Sequence, residues 1–213
     1  NEYLSPRSPY TTLQIPKQGI GEWCHPLHTV DIDDSGLRSS VQKGVLNTKL
    51  GVPFRTPAEG QNIAFTSLWD NYPDSLTVSL KGKASRAYLL MAGSTNHMQC
   101  HIDNGLIRVY YKDGTCDKMA LRNPDNWAPI EHIFFEDGLA FNRHAPVGED
   151  HGESISFIED RLGFQWNRVI AAVGGAAILL EMPLNPDKKL SHLVLETLSN
   201  DVVIGLMGIT LQR

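Results

Sequence analysis

Two short stretches combine aromatic rings with hydrogen-bonding neighbours in the way that sugar recognition requires. "WDNYP" brings together Trp69, Asp70 and Tyr72, and "NPDNW" brings together Asn123, Asn126 and Trp127. An indole or phenol ring covers the apolar face of a pyranose while Asn or Asp side chains bind its hydroxyls. Trp23 and Trp166 also stand beside polar loop residues. The competing use of each ring is to plug the end of a core, the commoner fate of a large aromatic. For WDNYP the structural use leads. Pro73 cannot donate to a ladder and suits a strand entry, Asp70 and Asn71 favour turns, and Trp69 is placed to cap a core.

Carboxylates and imidazoles offer a second chemistry. "DIDDSG" (Asp31, Asp33, Asp34, Gly36) opens like a calcium loop, but its twelfth position is Gln42, where a bidentate glutamate is needed. A structural calcium held partly by backbone carbonyls is the cofactor such a loop could take; a solvated acidic turn is the commoner use. His144, Glu149, Asp150, His151 and Glu153 share one loop, without the helical His spacing or cysteines of a zinc site. His25, His28, His97 and His101 read as surface or capping residues, with His97 and His101 on one face if their strand is unbroken. Cys100 and His101 are adjacent, so on a strand they point to opposite faces and make a poor nucleophile–base pair. No Gly-x-Ser-x-Gly elbow, Walker loop or GxGxxG is present. The sequence names no catalytic residue.

The bulk numbers narrow the classes further. A chain of 213 residues can bury a sizeable core. Its net charge of −5 comes without a basic tract, so it carries no footprint for nucleic acid. No apolar run approaches the ~20 residues of a membrane helix. Three cysteines (Cys24, Cys100, Cys116) make no disulfide framework and read as buried thiols, with Cys100 and Cys116 pairing only if the strand register allows. A chain starting at Asn1 is expected to be a processed piece whose export signal or partner domain lay upstream.

The elements that must position these residues are strands. "SLTVSL" puts Leu76, Val78 and Leu80 on one face and serine or threonine on the other. "AYLLMAG" is apolar on both faces and predicts a central strand. "LIRVYYKDGTCDKMAL" predicts a hairpin with Ile107, Val109 and Tyr111 inward and Asp113-Gly114 in the turn. "HIFF", "RVIAAV", "AAILLEMPL", "LSHLVLETL" and "VVIGLMGITL" continue the series, the last two parted by a turn at Ser199-Asn200-Asp201. No segment holds a 3.6-residue period over eleven positions. The chain is therefore expected to be all-β, a sandwich or barrel. Residues 1–60, rich in proline and glycine, read as an extended lead-in that wraps and packs on the core without a core of its own, with a short strand at Leu13–Ile15 and a short helix near Ser39–Lys43; residues 61–213 are expected to form the β-sandwich domain.

The ordered series "IDDSGLR", "GVPF", "WDNYPDSLTVSLKGKASRAYLLMAGST", "VYYKDGT", "LRNPDNWAPIE" and "PLNPDKKLSHLVLETLSNDVVIGLMGITL" covers residues 31–211. It resembles the galactose-binding-like, jelly-roll β-sandwich modules attached to secreted bacterial glycoside hydrolases, and their relatives of unknown function. The resemblance implies a jelly-roll fold, export (periplasmic, cell-surface or secreted), and a non-catalytic accessory role that binds glycan or buttresses a catalytic domain of the same parent protein. The expected partners are a polysaccharide or oligosaccharide and that catalytic domain. The expected glycan contacts are Trp69, Asp70, Tyr72, Asn123, Asn126 and Trp127; the weak metal candidates are Asp31, Asp33 and Asp34. Two other classes stay open: glycan hydrolysis or lysis by the acids of 149–153, and a purely structural interaction module with an exposed apolar patch.

Overall fold

Short alternating segments separated by turn residues fold here into stacked antiparallel sheets. The computed structural model describes residues 8–12, 14–16, 29–48, 51–68, 72–95, 99–123, 125–128, 155–157, 165–166 and 177–213. The first part supplies β1 (Tyr10–Thr11), β2 (Gln14–Pro16), β3 (Thr29–Asp33), the short helix α1 (Ser35–Ser39), β4 (Val41–Gln42), β5 (Val45–Asn47) and β6 (Pro53–Arg55). Then come β7 (Ile63–Ser67), β8 (Ser75–Ser79), β9 (Arg86–Thr95), β10 (Asp103–Tyr111) and β11 (Cys116–Arg122). The last are β12 (Ile155–Phe157), β13 (Gln165–Trp166), β14 (Ile178–Pro183), β15 (Leu190–Thr197) and β16 (Val202–Gln212).

Two sheets face each other, ordered β1-β7-β16-β9-β14-β12 and β11-β10-β15-β8. Strands β7 to β10 alternate between the sheets, β10 and β11 form a hairpin, and β14 to β16 alternate again. This order is two interlocked Greek keys, the jelly-roll arrangement. The protein is an all-β sandwich. Among the described residues, no helix is long and apolar enough to cross a membrane.

Side-chain alternation builds two cores from one sheet. Ala87, Leu89 and Met91 of β9 point between the sheets, with Ile178, Leu180 and Met182 of β14 and Ile107, Val109, Leu193 and Leu195 opposite. Leu90 and Ala92, one residue out of step, point the other way and meet Leu179 and Val203 in a second core. That is why "AYLLMAG" and "AAILLEM" are apolar on both faces. A β-bulge between Leu206 and Gly208 in β16 shifts the alternation by one residue. Leu206 therefore faces the first core, Met207 the second, and Ile209 the first again.

The second core is roofed by residues expected to be a coreless lead-in. A small sheet, β4-β5-β6, lays Leu46 and Phe54 on the outer face of the six-stranded sheet, and Leu37 and Val52 complete the roof. Each fully buried apolar side chain of this kind is worth about 1.5–3 kcal/mol. This part of the lead-in packs on the core as a third layer. Its short helix lies at Ser35–Ser39, four residues before the expected place, and β2 begins at Gln14. The one carboxylate within "AAILLEM", Glu181, is buried on this covered face and salt-bridged by Arg86.

Candidate functional site

The ends of β7, β9, β11 and β15 and the starts of β8, β10 and β16 lie at one end of the sandwich, as their pairing shows. Ser67 is opposite Val203, Thr95 opposite Val202, Gly105 opposite Thr197 and Asp103 opposite Arg122. A buried polar layer underlies this end. The Thr66 and Thr197 hydroxyls hydrogen-bond at 2.7 Å across the two sheets. The Thr95 hydroxyl donates to Asn104 Oδ1 at 2.8 Å, and Asn104 Nδ2 donates to the Gln99 carbonyl at 2.8 Å. The Ser199 hydroxyl donates to the Asp103 carbonyl at 2.8 Å. Satisfied buried polar groups fix geometry, so this layer anchors the loops.

Of the sequence-derived glycan contacts, Tyr72, Asn123, Asn126 and Trp127 are described; they lie at this end and turn inward. Trp127 is fully buried and packs over Gly93, where any side chain would strike its ring. Asn126 braces its own loop: Oδ1 accepts from the Arg122 N–H at 2.7 Å and Nδ2 donates to the Ala120 carbonyl at 2.7 Å. Asn123 is buried, its Nδ2 against Cys100 Sγ at 3.4 Å and its carbonyl accepting from the His101 N–H at 2.7 Å. Tyr72 is buried against Phe65, ring centroids 5.3 Å apart. These four side chains present no stacking face or free amide edge to a sugar in this arrangement. Trp69 and Asp70 lie outside the described residues, as do His144, Glu149, Asp150, His151 and Glu153.

The acidic stretch is likewise drawn into the framework. Asp31 and Asp33 lie in β3, opposite Gln14 and Gln165. Asp34 accepts from Arg38 Nε at 2.7 Å and from Asn62 Nδ2 at 2.6 Å, while Arg38 also holds the carbonyls of Ala58 and Gly60. This network ties α1 to the lead into β7. Among the described residues no three His, Cys, Asp or Glu side chains converge on a common point. His101 is in a turn at φ 58° just before β10, so it is not in a strand, and His97 lies outside the described residues. Cys100 is opposite Asn123 and Cys116 opposite Tyr110, at opposite ends of a sheet, too far apart to bridge. Burial pushes the Cys100 thiol up.

A different surface carries the chemistry. The outward face of the four-stranded sheet is read directly from its register. One row is Cys116, Tyr110, His192 and Ser79; the next is Lys118, Arg108, Val194 and Thr77; the third is Ala120, Leu106, Glu196 and Ser75. The Tyr110 and His192 rings stack with centroids 4.7 Å apart and planes 13° from parallel. Arg108 is salt-bridged to Glu196, and that hydrogen bond raises the guanidinium's hold on its proton. Both side chains stay partly open, 24% and 33% exposed, so they can exchange partners.

The end of this face nearest Tyr110 and His192 is basic. By alternation Lys81 follows Ser79 on the same face, and the Leu80 N–H still bonds to the Ser191 carbonyl at 2.9 Å. Lys112 and Lys189 stand in the adjoining turns, where the Lys112 N–H donates to the Lys189 carbonyl at 2.8 Å. Lys81, Lys112, Lys118 and Lys189 are exposed. Lys188 is different: it bridges to Asp113 at 2.9 Å, donates to the Thr115 hydroxyl at 2.7 Å and lies over the Tyr111 ring. Hydrogen bonds from Thr115, with Lys188 beside it, pull the Asp113 carboxyl down to about 2. Inside the same end, burial and the bond to Asp117 push the Tyr111 phenol up to about 12. Its oxygen also accepts from the Asn185 N–H at 2.8 Å.

The inward placing of Ile107, Val109 and Tyr111 in the sequence leaves Arg108 and Tyr110 outward, whereas nothing in the sequence singled out His192 and Glu196. Their convergence depends on β10 pairing with β15, some eighty residues away, and no local signal encodes that pairing. An apolar cleft of about 460 Å³ also opens where β16 runs on past the start of β7, lined by Ala64, Val78, Leu80, Leu206, Ile209 and Leu211. It holds no pair of groups suited to acid–base work. Set beside known proteins, the chain matches no family profile, no curated protein and no solved structure.

Proposed function

We propose that the chain is a non-catalytic accessory β-sandwich of an exported carbohydrate-active protein, of the galactose-binding-like kind, and that it holds glycan on the open face of its four-stranded sheet. The observation that carries this reading is the Tyr110–His192 stack beside the Arg108–Glu196 pair. Flat rings beside groups that donate and accept hydrogen bonds are what a pyranose needs, with its apolar face and its ring of hydroxyls. On the six-stranded sheet, by contrast, Leu90, Ala92, Leu179 and Val203 of the outer face are packed beneath Leu37, Leu46, Val52 and Phe54. In this reading the natural partners are a polysaccharide and a catalytic domain of the same parent protein. Affinity gels containing a panel of polysaccharides test it. Retention should fall about tenfold or more in Tyr110→Ala, the scale of a lost stacking contact of over ~1.4 kcal/mol, with the melting temperature nearly unchanged. Retention equal to wild type would remove this face from consideration.

A second reading, bracing of a neighbouring domain, is favoured by a separate observation. Three exposed large apolar side chains, Leu68, Ile102 and Leu198, adjoin strand ends at the same loop-bearing end, 46%, 48% and 40% exposed. Apolar groups gathered at one end suit a docking contact. Cross-linking of the parent protein through cysteines placed at Leu68 and Leu198 would test it, and absence of any cross-link to a neighbouring domain would sink it.

A further inference from the structure

We infer that the glycan held on the open sheet face is an acidic one, a polymer of uronic acids whose carboxylates meet the lysine rim around the Tyr110–His192 stack. This rests on the glycan reading above and names the class of sugar.

The argument is electrostatic and local. The chain as a whole carries −5, so cations gathered at one place work against the average. On the face itself Lys118 is directly opposite Arg108 in the ladder. Like charges so placed repel. Glu196 neutralises Arg108 from the other side, which leaves Lys118 with no carboxylate partner among the described residues. Lys81, Lys112 and Lys189 are exposed around the same end and likewise lack an ion pair among the described residues.

The neighbouring acids are mostly engaged. Glu196 is bound to Arg108, Asp113 to Lys188, and Asp117 accepts from the Tyr111 hydroxyl. Two of these acids, Asp117 and Asp187, lack a cation among the described residues, against four such lysines, Lys81, Lys112, Lys118 and Lys189. The balance of charge left over beside the aromatic stack is therefore that of ammonium groups, and the ligand that relieves them is an anion.

The kind of anion follows from the kind of cation. The guanidiniums on the face are each already engaged by a carboxylate, Arg108 by Glu196 and Arg122 by Asp103, so the cations there without a carboxylate are lysines. Lysine ammoniums are compact, strongly hydrated point charges, best matched by a similarly hydrated carboxylate. A uronate carries its carboxylate at the ring's edge, in the plane of the sugar. A pyranose packed against one outer ring face of the Tyr110–His192 stack brings that edge group to the rim.

The test compares polygalacturonate with its fully methyl-esterified form in affinity gels, so that backbone and hydroxyls stay constant and only the charge is removed. The full chain should be retained by the free acid at least about tenfold more strongly than by the ester. That preference should shrink as salt rises and the screening length falls from ~10 Å to ~3 Å. A Lys112→Gln, Lys118→Gln, Lys189→Gln variant, its fold checked by its melting temperature, should lose the preference and keep any residual binding to the ester. Equal retention by acid and ester overturns the acidic assignment while leaving a glycan face in place. Stronger binding to a sulfated polysaccharide than to polygalacturonate overturns the carboxylate assignment. If neutral and acidic polymers alike fail to retain the chain, the glycan reading and this inference fall together.

Discussion

The two sheets of the sandwich share a core but differ on their outer faces. The six-stranded sheet buries Leu90, Ala92, Leu179 and Val203 beneath β5 and β6, whereas the four-stranded sheet turns Tyr110, His192, Arg108, Glu196 and Lys118 outward. The difference begins in the strands themselves. β9 and β14 carry apolar residues on both faces, through Leu89–Ala92 and Ile178–Leu180, and need cover on both sides; β10 and β15 alternate, so one side is finished without cover. A strand buried on both faces has no freedom to display chemistry. One that alternates can vary its outer residues at little cost to the fold. The covered face holds the molecule together, and the open face is where recognition can be written.

The contrast can be broken most directly from the covered side. Phe54→Ala removes a fully buried ring from the roof and is expected to cost about 3–5 kcal/mol in urea unfolding. A loss under ~1 kcal/mol would mean that the roof is not packed. On the same face a Cβ at Gly205 would collide with the Ala92 carbonyl and the Ile63 and Phe65 side chains. Gly205→Ala should therefore destabilise by about 1–3 kcal/mol.

The next effect is visible only at high pH. Tyr111 holds its proton up to about 12, against an ordinary value of 10.0. Folding favours the neutral phenol, so this contribution is complete below pH 10 and is lost as pH rises towards 12. Tyr111→Phe should flatten the fall in stability over that interval; a fall as steep as in wild type would assign it to other groups. The smallest effect is expected on the open face. Thr77→Ala should change stability by no more than about 0.5 kcal/mol. A larger loss in urea unfolding would show that this face is structurally committed.

Most of the sandwich was legible because its signals are local. "SLTVSL" became β8, "AYLLMAG" became the doubly buried β9, and the turn expected at Asp113-Gly114 closes β10 onto β11 with Gly114 at φ 85°. The roof was harder to see. Leu37, Leu46, Val52 and Phe54 are scattered among prolines, glycines and polar residues, with no period to reveal that they share a face. Proximity in space across many residues of chain made them a layer. The candidate site failed to show for the same reason. Trp127 attracted attention by its composition, yet whether an indole faces water or Gly93 depends on where β9 passes. Tyr110 and His192 drew none, because a stack between distant strands exists only once the register is set.

The position of β16 has a consequence for how the protein is made. It lies between β7 and β9, and its Val202 carbonyl is bound by the Ser67 hydroxyl across 135 positions of sequence. At ribosomal speeds of about 5–20 residues per second, that separation is a wait on the order of ten seconds. Throughout it, β7 and β9 lack the neighbour they share, and each presents a bare edge to whatever strand is near. The nascent chain therefore passes through a period in which holding its edges apart matters more than folding quickly.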